Sequence, residues 1–111
     1  MKWRIHYYNN KLENEILEFP DGLLARYLRL TDLMCEFGPN FGMPHTRPIE
    51  SGLFELRVKG KEGIARVFFC MKIRKKIVML HTFIKKSQKT PKKELKIAKN
   101  RMSEVINNDT F

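Results

Sequence analysis

Negative charge is nearly missing from one long stretch of this chain. Between Arg57 and Arg101 only Glu62 and Glu94 are acidic, while the same window holds all 16 of the Lys and Arg residues that follow position 50. With no clustered Asp/Glu set, the sequence offers nothing for two-metal chemistry. It also has no His pair at zinc spacing, no glycine-rich phosphate loop and no nucleophile elbow. No metal or other cofactor is therefore expected. Cysteine is scarce as well: Cys35 and Cys70 stand alone, without metal-type spacing, and read as buried, reduced thiols of a cytosolic protein. No apolar run approaches the ~20 residues that span a bilayer. The opening Met-Lys-Trp-Arg-Ile-His-Tyr-Tyr alternates polar and apolar residues, which is not a signal-peptide pattern. A cytoplasmic protein without a membrane partner is the expectation.

Apolar content of 42%, with eight Phe, three Tyr and one Trp, argues for a folded chain over a disordered basic tail. Its 111 residues suit one domain, residues 1–111. Residues 1–50 carry six Lys/Arg against seven Asp/Glu, a net of −1, whereas residues 51–111 carry 16 against five, a net of +11. Charge this lopsided, in a chain of pI near 9.9, speaks of an anionic partner, nucleic acid or an anionic membrane surface.

Residues 2–8 alternate, with Trp3, Ile5 and Tyr7 on one face, and predict a half-buried strand. Asn9 or Asn10 is placed to cap a short helix reaching about Glu18. After Pro20-Asp21-Gly22 a second helix carries a broad apolar stripe of Leu23, Leu24, Tyr27, Leu28, Leu30, Leu33 and Met34. Phe37-Gly38-Pro39 stops it. Pro39, Gly42, Pro44, Pro48 and Gly52 make residues 39–52 a loop, in which His45-Thr46-Arg47 can touch a ligand or lie solvated. Three strands follow: Leu53–Lys59, a hairpin connection at Gly60–Gly63, Ile64–Ile73, a tight Arg74-Lys75 turn, and Lys76–Ile84. In the last, Ile77-Val78-Met79-Leu80 is apolar on both faces, as a central strand should be. Thr90 is placed to cap a final helix with Pro91 at its first position. That helix would bury Leu95, Ala98, Met102 and Val105/Ile106 and turn Lys92, Lys93, Lys96, Lys99 and Arg101 outward. The order β-α-α-β-β-β-α is that of an α+β fold with an antiparallel-rich sheet.

Arg57 and Lys59 share one strand face, and pairing across Gly60–Gly63 would bring Arg66 beside them. Glu55 and Glu62 can neutralise part of this charge, and the remainder can extend into water. Arg66, flanked by Ala65 and Val67-Phe68-Phe69, is hard to place as an idle charge. A second basic knot, His81 to Lys93, sits at a strand-to-helix corner. If phosphodiesters are cleaved here, the reaction needs no metal: arginine and lysine would stabilise charge developing on the phosphate, and the RNA 2′-OH would be the nucleophile.

Three ordered blocks, Leu53-Phe54-Glu55-Leu56-Arg57, Ala65-Arg66-Val67-Phe68-Phe69 and His81-Thr82-Phe83-Ile84-Lys85-Lys86-Ser87-Gln88-Lys89-Thr90-Pro91, resemble the phage-derived branch of the RelE/HigB toxin family. The resemblance is close over residues 50–102. It implies a compact RelE-like, microbial-RNase-type fold and the toxin of a type II toxin–antitoxin pair, which enters the ribosomal A site, cuts mRNA and inhibits translation. A HigA-like helix-turn-helix antitoxin would neutralise it, and operator DNA would be contacted only through that antitoxin. Carried over by position, the family's basic strand residues fall on Arg57 and Lys59, its phosphate-clamping arginine on Arg66, and the basic residue after the last strand on Lys85 or Lys86. Lys61, Lys89, Lys92 and Lys93 would steer the RNA backbone. Relatives often place a Tyr or a His/Tyr group near the C-terminus, where this chain has Lys89-Thr90-Pro91. The general acid and base are therefore unassigned, with His81 and a lysine crowded by other cations as the candidates. A basic RNA- or ribosome-binding domain without catalysis is the alternative. A DNA-reading last helix is disfavoured, since it offers mainly lysines.

Overall fold

The computed structural model describes residues 2–39, 42, 45–85 and 90–108, with Lys85 described by its backbone alone. In chain order the elements are β1 (Arg4–Tyr7), α1 (Asn10–Leu17), α2 (Asp21–Phe37), β2 (Thr46–Glu50), β3 (Leu53–Gly60), β4 (Gly63–Lys72), β5 (Lys76–Lys85) and α3 (Lys92–Ile106). The strands form one mixed sheet in the order β1-β5-β4-β3-β2. Only β1 runs parallel to its neighbour, β5; the other pairings are antiparallel. This α+β architecture is consistent with the fold implied by the RelE/HigB resemblance. None of the described helices is long and apolar enough to cross a membrane.

Local chemistry accounts for most element boundaries. The Asn9 side chain accepts from Leu12 N at 2.8 Å, capping α1 and orienting Leu12 and Ile16 inward. Along α2 the residues Leu23, Tyr27, Leu30 and Met34 recur every three or four positions and are buried. The stripe is narrower than the sequence predicts, since Leu28 and Leu33 face solvent. These helices cover one sheet face, packing on Leu56, Val58, Ala65, Val67, Phe69, Ile77 and Met79. Inside that layer the Tyr7 and Tyr27 hydroxyls lie 2.8 Å apart, and burial raises the pKa of both phenols.

Helix α3 covers the other face, over Leu53, Phe68, Cys70, Val78 and Leu80. The Cys70 thiol, fully enclosed there, is pushed up to about 11 by burial, while Cys35 is only partly buried; both thiols are free. Lys72 Nζ reaches the C-terminal end of α3, donating to Val105 O at 2.9 Å and Asn108 O at 2.7 Å. It thereby places a cation at the negative end of the helix dipole, adding to the backbone bond that Val105 O accepts from Asn108 N.

Three expectations change. The loop assigned to residues 39–52 contains strand β2, which includes Pro48. An edge strand tolerates proline because its outer side needs no ladder donor; Pro44 of the same segment lies outside the described residues. Thr90 does not cap α3: Pro91 holds the cap position, and the Thr90 hydroxyl is used elsewhere. Ile106 is exposed, leaving Ala98 and Val105 as the buried anchors of α3.

Candidate functional site

Strand register determines which charges meet. Arg57 pairs directly with Arg66, and Arg66 with Phe83; one row further along, Lys59 pairs with Ile64 and Ile64 with Lys85. In the opposite direction Arg47, Glu55, Phe68 and His81 form the next row. Side chains of directly paired residues share a face, so Arg47, Glu55, Arg57, Lys59, Arg66, His81 and Phe83 all belong to the α3 side of the sheet.

For β5 this depends on an irregularity. Phe68 pairs with His81 but Phe69 pairs with Met79, so Leu80 is an extra residue in the ladder. Simple alternation would have put Leu80 and His81 on opposite faces; the bulge returns His81 and Phe83 to the basic side. Arg101 Nη1 donates to the Leu80 carbonyl at 2.9 Å, while its guanidinium lies 4.6 Å from the centre of the Tyr8 ring. Arg101 is thus folded onto the sheet rather than turned outward.

Glu55 is the residue around which this face is organised. It is completely buried, and Arg66, also completely buried, donates from Nη1 to both of its oxygens at 3.2 and 3.1 Å. Arg47 Nε donates to Oε1 at 2.9 Å, and Thr90 Oγ1 to Oε2 at 3.3 Å. Two guanidinium groups and a hydroxyl therefore hold one carboxylate, joining β2, β3, β4 and the segment entering α3. Of the charge neutralisation expected from the sequence, Glu55 supplies its share. Glu62 instead lies by Gly22 at the start of α2, where an added Cβ would come within 2.9 Å of Glu62 Oε2.

Beyond Thr46, the last residue of β2 to pair with β3, the edge of β3 opens. His45 stays attached there, its carbonyl accepting from Arg57 N at 2.8 Å. Among the described residues Arg26, His45, Arg57 and Lys59 line a cavity of about 240 Å³ at this edge, and none of them is acidic. Arg26 comes from α2, so the cavity wraps around the edge of the sheet. Arg26 and His45 also line a larger groove of about 890 Å³ that runs along α2 past Arg29 and Asp32. Sequence reasoning missed Arg26 altogether. His45 and Arg47 carried a signal only as polar residues in a turn-rich segment.

The other candidates are dispersed. Among the described residues His81 does not line the cavity: its Nε2 lies 2.6 Å from Glu94 Oε1 on α3, and its ring stacks beside both Phe68 and Phe83. Lys61, in the β3–β4 turn, and Lys92 and Lys93, on the first turn of α3, are exposed. The Lys85 backbone ends β5 in the row of Lys59. Lys86 and Lys89 lie outside the described residues.

No curated protein matches the chain. Its sequence does match the family described as Phage derived protein Gp49-like (DUF891), over residues 14–103. That span takes in the second half of α1, all of α2, the four strands β2 to β5 and most of α3, including every charged residue placed around Glu55 and the β3 edge. Membership is compatible with the toxin of a toxin–antitoxin pair. The protein belongs to the phage-derived Gp49-like family.

Proposed function

We propose that the protein is the toxin of a type II toxin–antitoxin pair and acts as an endoribonuclease on mRNA at the ribosome, without a metal. The observation that carries this reading is the cavity at the β3 edge, where Arg26, His45, Arg57 and Lys59 converge. Three cations around one imidazole provide both halves of metal-free phosphodiester cleavage. The RNA 2′-oxygen attacks the adjacent phosphorus as its proton passes to a base, and the 5′-oxygen leaves as it receives a proton. The products are a 2′,3′-cyclic phosphate and a 5′-hydroxyl. Arg57 and Lys59 stabilise the charge gathering on the phosphoryl oxygens, Arg26 closes the third side, and His45 is the proton-transfer group.

In this reading Arg66 acts through position. Locked to Glu55, it stands beside Arg57, its cross-strand partner, on the same face of the sheet. His81 binds α3 to the sheet through Glu94 and lies outside the proton path. Lys61, Lys92 and Lys93, with Lys85, Lys86 and Lys89, supply the sequence-independent attraction for rRNA and mRNA backbone. A helix-turn-helix antitoxin encoded alongside would hold the toxin inactive until released.

Controlled expression tests the site. Wild-type protein should arrest growth, and a folded Arg57→Gln/Lys59→Gln double variant should not. His45→Gln should lower the cleavage rate by about 10²–10⁴, the usual contribution of a general acid or base. A folded double variant as toxic as wild type would remove the cavity from the mechanism.

A further inference from the structure

We propose that a second phosphate-binding site lies at the opposite end of the sheet, where the β4–β5 turn meets β1, and that it takes the backbone of folded RNA. Its ligand class rests on the endoribonuclease reading above; its existence rests on the geometry. Among the described residues Lys2, Arg4, Arg74 and Lys76 line a cavity of about 510 Å³, with neither an acidic nor an apolar residue in that lining. These four cations come from two distant parts of the sequence, and the parallel pairing of β1 with β5 brings them together. Arg4 is the direct partner of Lys76, so two like charges stand side by side on adjacent strands and concentrate positive potential at this end of the sheet.

The turn itself is held in an uncommon conformation. Arg74 and Lys75 both have positive φ, 65° and 56°, where glycine and asparagine are the favoured residues. Arg4 N donates to Lys75 O at 2.9 Å, fixing the turn against β1 and orienting Arg74 over the cavity. Glu36 pairs with Lys2 at 3.2 Å in an exposed ion pair that an incoming phosphate can displace. A protein segment would need an apolar foothold, which this lining lacks, whereas a phosphate backbone needs only the charges.

β5 runs from Lys76 at this site to Lys85 beside the cleavage cavity, a span of about 30 Å at ~3.3 Å per residue. A scissile dinucleotide cannot reach both ends, so the second site contacts a separate stretch of backbone, as a folded RNA would present.

Fluorescence anisotropy with two non-cleavable 2′-O-methyl RNAs tests the proposal without depending on cleavage. One is a stem-loop long enough to reach both ends of β5, the other a short single strand that is not. The Arg4→Gln/Arg74→Gly variant removes two cations and leaves a turn that glycine favours. It should bind the stem-loop ~10-fold more weakly at low salt, with the slope of log affinity against log salt reduced by about 1.5, the value for two lost phosphate contacts. Its affinity for the short strand should not change. Lys75→Gly, which removes a neighbouring cation outside the cavity lining, should leave both affinities at wild-type values. Equal losses for Lys75→Gly and the double variant would reduce the effect to general charge and overturn the site. So would an unchanged salt slope in the double variant, or a loss seen only in binding to a co-purified antitoxin. If the stem-loop result holds while wild-type protein cleaves nothing, the binding site stands and the nuclease reading falls.

Discussion

Glu55 determines how Arg66 can be tested. Both side chains are fully buried and bonded to each other, so removing Arg66 leaves the Glu55 carboxylate in the interior with Arg47 and Thr90 but without its buried partner. Arg66→Ala should therefore destabilise the fold by about 3–5 kcal/mol, whereas Arg66→Met combined with Glu55→Met should recover most of that loss. Urea unfolding midpoints measure both, and an Arg66→Ala protein as stable as wild type would show that the pair is not a structural unit. Toxicity lost in Arg66→Ala alone is consequently not evidence of catalysis, which is why Arg57 and Lys59 are the informative positions. The two core tyrosines make a second prediction. Burial raises the pKa of Tyr7 and Tyr27 in the folded state above the ordinary value of 10.0. The unfolded chain thus releases these protons first as pH rises. The stability linked to them is present below pH 10 and declines above it, for the buried Tyr27 at a slope approaching about 1.4 kcal/mol per pH unit. Tyr27→Phe should flatten that decline, and a series of urea midpoints from pH 9 to pH 11 measures it.

Strands β3 and β4 were legible in the sequence because alternation with period two is a local property. It correctly placed Arg57 and Arg66 on one face. The bulge at Leu80 was not legible, because what stabilises it, the Arg101 guanidinium on the Leu80 carbonyl, arrives from 21 residues away. Strand β2 was hidden for a different reason: Pro48 signals a loop unless the strand is known to be an edge. Thr90 was misread because a hydroxyl before Pro91 looks like a helix cap, whereas the buried Glu55 carboxylate offers it a better partner. Helix α3 depends on a similarly remote contact. Lys72→Met removes the donor to Val105 O and Asn108 O and should cost about 1 kcal/mol. Hydrogen exchange should then accelerate in the last turn of α3 while the β4 and β5 amides keep their protection. Uniform acceleration throughout the sheet would mean that Lys72 supports more than the helix end.

Over the whole molecule, charge and fold are arranged together. Helices α1 and α2 cover one face of the sheet, and α3 covers only part of the other. Beyond the N-terminal end of α3, the β3–β5 end of the sheet carries Arg57, Lys59 and the Lys85 backbone position in adjoining rows. The acidic residues gather in the first half of the chain and leave this end electropositive, which would give the proposed RNA partner fast, salt-sensitive capture. What charge cannot decide is whether captured RNA is then broken. Mapping mRNA 5′ ends by primer extension, shortly after induction in growing cells, decides it. Wild-type protein should produce new ends in phase with the reading frame, and the folded Arg57→Gln/Lys59→Gln variant should produce none. Growth arrest with mRNA left intact would instead make this a ribosome-binding domain without nuclease activity.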